Sequence, residues 1–162
     1  MGKIALYTGR FQPFHNGHRK VVEMLVETFD LTKIALGEKR AGDILSYSER
    51  EEMIRDTFQD YKIELYRIED LPKEHPEYFN WGNYVLNKVG KVDFVVTGQD
   101  PDNYVQDDFF KLGYPIILVP RFEGISGTVI RQKILSGEQS WQRDVPLSSK
   151  RIIRDIIKNE NK

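Results

Sequence analysis

Short apolar runs alternate with helical patterns along the whole chain. Ile4-Ala5-Leu6-Tyr7 ends at Thr8-Gly9 and reads as a buried strand. The following stretch has apolar residues at Val21, Val22, Leu25, Val26 and Phe29, with Glu23 and Glu27 on the other side, which is helical spacing. The alternation continues to the end. It predicts strands over Lys3–Thr8, Lys33–Leu36, Ile63–Ile68, Phe94–Thr97 and Ile116–Val119. It predicts helices over His18–Phe29, Ser48–Phe58, Asn80–Lys88, Asp102–Lys111, Gly127–Leu135 and Ser148–Lys158. Strand–helix alternation implies an α/β fold: a doubly wound, Rossmann-like parallel sheet of five strands, helices on both faces, and C-terminal helices. Residues 1–162 are expected to form a single domain, with Asn159–Lys162 frayed. Ligands of such sheets bind beyond the carboxyl ends of the strands. Thr8-Gly9, Gly37, Asp70, Thr97-Gly98 and Pro120 all fall there.

Two strand-to-helix junctions stand out. The first is Gly9-Arg10-Phe11-Gln12-Pro13-Phe14-His15-Asn16-Gly17-His18. Pro13 favours a turn over continued strand, and Gly17 has no Cβ to hold backbone away from a bound group. A helix beginning near His15 puts the rings of His15 and His18 on one face, where imidazoles can donate hydrogen bonds to phosphate. The second is Ile125-Ser126-Gly127-Thr128-Val129-Ile130-Arg131. Ser126 is a good N-cap and Gly137 a good stop for the helix between them. The hydroxyls of Ser126 and Thr128, the N–H groups of that turn and the Arg131 fork make a polyphosphate cradle. A helix N-terminus favours anions, so two such junctions suggest a nucleoside triphosphate held from two sides. Plainer readings exist: the histidine pair as metal ligands completed by carboxylates, or Arg131 as a solvated residue on an ordinary capped helix.

Composition narrows the classes. A formal net charge of −1 gives no basic surface for nucleic acid. The absence of cysteine fits a reducing cytoplasm and excludes disulfide and thiolate chemistry. No apolar stretch is long enough to span a membrane, and no signal-peptide pattern opens the chain.

The two junctions together resemble the nucleotidylyltransferase superfamily, whose marks are HxGH (here His15–His18) and ISxTxxR (here Ile125–Arg131, with Gly127 in the variable place). The fuller form Gly9–His18 is similar to the archaeal-type nicotinamide mononucleotide adenylyltransferases. Tyr47-Ser48-Glu49-Arg50, Ile68-Glu69-Asp70-Leu71, Asn80-Trp81 with Tyr84-Val85, Val96-Thr97-Gly98-Gln99, and Trp141 with Val145-Pro146 extend the likeness over nearly the whole chain. Two departures are visible. The loop Gly37–Ser46 is short, with Arg40 the nearest candidate for a phosphate contact, and Gln99-Asp100-Pro101 stands where the family has Asn-Pro.

The resemblance implies transfer of the adenylyl group of ATP to nicotinamide mononucleotide, or to its acid form, with release of pyrophosphate. His15, His18, Arg10 and Arg131 would act on the phosphates, with His18 nearest the α-phosphate. Gly9, Phe11, Gly17, Gly98, Ile125, Ser126 and Thr128 would complete the ATP site. Arg40, Asp70 and Trp81 would serve the nicotinamide end. Spacing alone leaves Trp81 divided between that role and the core, because Tyr84, Val85 and Val89 share its helical pattern. Mg2+ would bridge phosphates, with no protein metal ligand named, and family members are often homo-oligomers. Another acceptor (phosphopantetheine, flavin mononucleotide or a cytidylyl acceptor) and a non-catalytic nucleotide sensor are the alternatives.

Overall fold

A computed structural model describes residues 2–99, 104–122 and 124–162. These fall into two compact units. One comprises 1–10, 22–38 and 62–121; the other comprises 11–21, 39–61 and 122–162.

The first unit holds the sheet. Its strands are β1 (Ile4–Gly9), β2 (Leu31–Gly37), β3 (Ile63–Ile68), β4 (Phe94–Gly98) and β5 (Ile116–Val119), all parallel, in the order β3-β2-β1-β4-β5. The expected five-stranded α/β sheet is therefore present, each strand within two residues of its predicted bounds. β1 and β2 are buried along almost their whole length, as parallel strands must be. Lys33 is the exception in type. Its ammonium reaches the carbonyls of Val89 at 2.5 Å and Lys91 at 3.0 Å, at the C-terminal end of a helix where cations are favoured. That helix is α3 (Trp81–Val89), and α4 (Tyr104–Lys111) follows β4. The predicted start of α4 at Asp102 lies outside the described residues. α3 begins one residue later than expected, because Tyr78–Asn80 form a 3-10 turn ahead of it.

The strand ends are aligned by register: Gly9 pairs with Leu36, Gly37 with Ile68 and Gly98 with Val119. The carboxyl edge of the sheet therefore carries Gly9, Gly37 and Gly98 in a row. The strand order reverses between β1 and β4, which puts the switch point beside Gly9 and Gly98.

The second unit is helical: α2 (Tyr47–Thr57), α5 (Gly127–Leu135) and α6 (Leu147–Glu160), with a 3-10 segment at Gln139–Arg143. A full capping box starts α2, with Ser46 Oγ accepting the Glu49 N–H and the Glu49 carboxylate accepting the Ser46 N–H. α5 matches its predicted bounds because both signals act: Ser126 caps its start, and Gly137 follows its end at φ 77°. The 3-10 segment was not predicted, since five residues are too few to show a period. Arg151 of α6 meets Glu52 and Asp56 of α2, each at 2.8 Å, and Phe14, Met53, Ile54, Trp141, Ile152 and Ile153 are buried in this unit. Among the described residues no helix is long and apolar enough to cross a membrane.

Trp81 packs, half-buried, against the first unit's core of Leu6, Ala35, Ile68, Val85, Val89, Val92, Val95 and Phe109. Its ring stands edge-on to Phe109 at 6.2 Å and to Tyr104 at 5.4 Å. Part of the indole thus carries packing energy whatever its open face does. Trp81→Ala is expected to lose roughly 2 kcal/mol in urea unfolding, short of the cost of emptying a fully buried aromatic site. A loss under roughly 0.5 kcal/mol would show that the packing contributes little.

Candidate active site

The helix α1 runs from Asn16 to Thr28, two residues earlier than its apolar spacing predicts. The cause is His15. Its Nδ1 accepts the N–H groups of Gly17 at 3.1 Å and His18 at 3.3 Å, so the imidazole is the helix's side-chain N-cap. In return the His15 N–H donates to His18 Nδ1 at 3.3 Å. The two rings stack at 3.6 Å with 16° between their planes. Gly17 is required between them: a Cβ there would stand 2.9 Å from His15 Cε1 and 3.2 Å from the Phe122 ring. Asn16 completes the turn by donating its N–H to the Asp144 carbonyl at 2.8 Å and its side-chain amide to the Arg143 carbonyl at 3.0 Å.

These bonds revise where an anion would be held. The N–H groups of residues 16–19 all have acceptors inside the protein, Arg19 donating to the His15 carbonyl. The donors left at this helix start are imidazole nitrogens. Both Nδ1 atoms accept a main-chain N–H, so each neutral ring carries its proton on Nε2 and can donate it. The rings are neutral because they are desolvated. Burial takes His15 from 6.5 down to about 4, outweighing the nearby Asp144 carboxylate, which acts in the opposite direction. His18, packed by Phe11 at 4.8 Å, Phe14 at 5.8 Å and His15, is lowered well below its usual value by burial first and by His15 second.

The second junction meets the first in the same unit. Ser126 Oγ accepts the Val129 N–H at 3.2 Å. Arg131, one turn into α5, donates Nη1 to the Gln12 carbonyl at 2.7 Å and Nη2 to Thr128 Oγ1 at 3.4 Å. The buried carboxylate of Asp43 lies 3.9 Å from the same guanidinium. Gln12 is itself buried, its side chain doubly bonded to the main chain of Leu45. The His15–His18 pair and the Thr128–Arg131 pair are thus two bonded groups in this unit, brought together by the Arg131 bond to Gln12, three residues before His15; the unit also holds Ser126, Phe11, Gly17, Ile125 and the exposed Arg40.

The remaining sequence-derived residues sit in the sheet unit. Gly9, Arg10 and Gly98 are at the carboxyl ends of β1 and β4, and Asp70 is two residues past β3. Gly37 makes room for Arg10, whose Cγ would be 3.3 Å from a Cβ there. The Asp70 N–H donates to the Glu38 carboxylate at 2.8 Å. Gln99 closes the described part of β4's loop; the rest of the Gln99-Asp100-Pro101 departure from the family pattern lies outside the described residues. Sequence reasoning missed Gln12, Asp43 and Asp144. Each acts through a main-chain atom or through a residue distant along the chain, and no local spacing announces that.

Residues 6–133 match the cytidylyltransferase-like family. The chain belongs to that family. Among similar family proteins is the nicotinamide-nucleotide adenylyltransferase of Thermococcus kodakarensis, 34% identical over 96% of this chain and 85% of that protein. The protein of the same name from Saccharolobus solfataricus is 32% identical over 93% of this chain and 90% of that one. In fold the chain is similar to Thermotoga maritima TmcAL bound with alpha-thio ATP, at TM-score 0.72 and 16% identity over 97% of this chain and 56% of that chain. It is likewise similar to a bifunctional NMN adenylyltransferase/ADP ribose pyrophosphatase from Francisella tularensis, at TM-score 0.68 and 19% identity over 98% of this chain and 50% of that chain. This chain therefore spans about half the length of those two structures.

The lowered histidines tie stability to pH. A histidine that is neutral when folded but titrates near 6.5 when unfolded binds more protons in the unfolded state between those values. Stability attributable to His15 is complete above pH 6.5 and falls as pH drops toward 4, by up to about 1.4 kcal/mol per pH unit. His15→Asn keeps an N-capping acceptor without a titrating group. It is expected to flatten the melting-temperature profile across that window relative to the native protein. Parallel profiles would mean that His15 is not held neutral.

Proposed function

We propose that the chain is a nicotinamide-nucleotide adenylyltransferase, joining the adenylyl group of ATP to nicotinamide mononucleotide. An oxygen of the mononucleotide's 5′-phosphate attacks the α-phosphorus of ATP. The bond from that phosphorus to the bridging oxygen of the β-phosphate breaks, and pyrophosphate leaves with the electron pair. The monoester's second pKa is about 6, so the nucleophile is already largely dianionic at neutral pH and needs no protein base. The task left to the protein is to hold two anions in line and to stabilise the charge that moves onto the leaving group.

The observation that carries this reading is the stacked, neutral His15–His18 pair with its ring protons on Nε2, in the same unit as the α5 turn, whose Arg131 bonds to Gln12 of the same loop. Neutral Nε2–H donors fixed by their own helix suit an α-phosphate whose charge grows during the reaction. Arg131, Thr128 and Ser126 would take the β- and γ-phosphates, and Arg10 a phosphate at the β1 end. The nicotinamide acceptor is supported by the shared activity name of relatives matched along almost the whole chain. Asp70 and the open face of Trp81 would recognise that end, and Arg40 its phosphate. Among the described residues an added Cβ on Gly98, at the end of β4, would meet nothing within 4 Å, which suits an adenosine pocket. Among the described residues no three His, Asp or Glu side chains gather as metal ligands. Mg2+ would then enter as part of the substrate MgATP, bridging phosphates. The two units would work as one domain, in the cytoplasm and as a homo-oligomer, the last tested by sedimentation.

Turnover of ATP with nicotinamide mononucleotide, its acid form, phosphopantetheine and flavin mononucleotide tests the reading; dinucleotide formed from neither nicotinamide substrate would overturn it. His18→Ala is expected to reduce kcat by two to three orders of magnitude, about the effect of removing one donor to a developing oxyanion, with unchanged folding at pH 7.5 by circular dichroism. Near-native kcat would remove His18 from the reacting centre. Arg131→Ala is expected to raise the ATP KM by about ten- to a hundred-fold, the value of a charge-assisted phosphate bond, and to change the mononucleotide KM far less. Equal rises for both substrates would contradict its placement on ATP.

A further inference from the structure

Arg131 does not stand on its helix unaided. Its Nη1 is anchored at 2.7 Å on a main-chain carbonyl that lies 119 residues earlier, that of Gln12. A carbonyl in a loop is a poor anchor unless the loop is itself held. Here the Gln12 side chain holds it: Nε2 donates to the Leu45 carbonyl at 2.7 Å, and Oε1 accepts the Leu45 N–H at 3.0 Å. Both groups of the amide are used, as in a strand pair, and Leu45 is fully buried. Leu45 in turn precedes the capping box that starts α2. Gln12 therefore joins the histidine loop, the α2 approach and the α5 turn.

The second half of the dock is an absence of side chain. The start of α5 lies so close to the loop that a Cβ on Gly127 would stand 2.9 Å from the Gln12 carbonyl oxygen and 3.2 Å from Arg131 Nη1. Its φ is not in the left-handed region, so the requirement for glycine here is one of space.

We propose that Gln12 and Gly127 are positioning residues for Arg131, fixing its guanidinium for the triphosphate through the Gln12 main-chain carbonyl. The inference rests on the proposed role of Arg131 in holding ATP. With Nη1 on Gln12 and Nη2 on Thr128, two of the five N–H donors are committed within the described residues, and the fork's plane is set before ATP arrives. Asp43, at 3.9 Å, offsets the positive charge without taking the Nη1 bond from the carbonyl.

Gln12→Glu tests the clamp, because it changes shape little and hydrogen bonding completely. An ionised carboxylate can accept the Leu45 N–H but faces the Leu45 carbonyl with no donor. Protonated, it regains one donor and one acceptor, the pattern of the amide. Burial and Asp43 push the introduced carboxyl toward the neutral form, and Arg131 pushes the other way. Gly127→Ala tests the approach with every polar group retained. ATP Kd by calorimetry and KM for both substrates are compared with the native protein at about pH 8 and about pH 5, with melting temperature recorded throughout. At the higher pH, Gln12→Glu is expected to weaken ATP about tenfold or more, the scale of one or two lost buried bonds, with mononucleotide KM within about twofold of native. At the lower pH its gap from native closes by most of that factor. Gly127→Ala is expected to weaken ATP similarly at both pH values. ATP affinity within about twofold of native in either variant at the higher pH, equal losses for both substrates, or a Gln12→Glu gap that does not close would each overturn the proposal. Should Gln12→Glu fail to fold at the higher pH, Gly127→Ala and its substrate split decide alone. A native protein that binds ATP yet forms no dinucleotide would refute the proposed reaction, while the Kd series would still judge the dock.

Discussion

The His15 imidazole accepting two N–H groups at the start of α1 is the interaction on which the candidate site depends. It does three things at once. It starts the helix at Asn16, it forces the ring proton onto Nε2, and it draws the His18 ring into a 3.6 Å stack. Stacking and the Phe11 and Phe14 rings exclude water, and exclusion of water keeps both rings uncharged near neutral pH. A capping serine would satisfy the same helix N–H groups and keep an O–H to donate, but it has no ring to stack on His18. Gly17 belongs to this device, since any side chain there would meet the His15 ring.

Charge in the site follows an economy set by burial. Neutral imidazoles provide directed donors at the helix start, while Arg131 supplies the positive charge. Two carboxylates, Asp43 and Asp144, stand close to this chemistry and are each paired: Asp43 beside Arg131 at 3.9 Å, Asp144 with Lys133 at 2.9 Å. Pairing limits the repulsion that an acidic group would otherwise exert on incoming phosphates. The sheet unit follows the same rule next to Asp70. There Glu69 accepts from Tyr84 and Lys88, and these bonds hold its carboxyl down at about 2.

Much was legible in the residue pattern, for reasons that differ between elements. The edge strands Ile63–Ile68 and Ile116–Val119 could be bounded to the residue although little of either is buried, because Lys62 and Glu69 bracket the first run and Pro115 and Pro120 the second. α5 was equally clear because Ser126 and Gly137 mark its ends by local chemistry. The two segments proposed to hold phosphate were recognisable because glycine, proline, histidine and hydroxyl residues rarely fall by chance at such spacing between a strand and a helix. The 3-10 turns at Tyr78–Asn80 and Gln139–Arg143 left no such trace.

The sequence by itself therefore determined on which kind of element each candidate residue would lie, because that depends on local backbone preference and side-chain type. What tertiary structure alone decided is how those residues are set. The α1 N–H groups are consumed internally, contrary to the expectation that they would be offered to an anion, because the His15 ring folds back on its own helix. Trp81 gives part of its ring to the core because Phe109 arrives from α4. Arg131 is oriented by a carbonyl at Gln12, a main-chain atom that every residue possesses and that no composition or spacing can single out. Long-range hydrogen bonds to backbone are invisible to sequence pattern for that reason, and here they govern the geometry of the site.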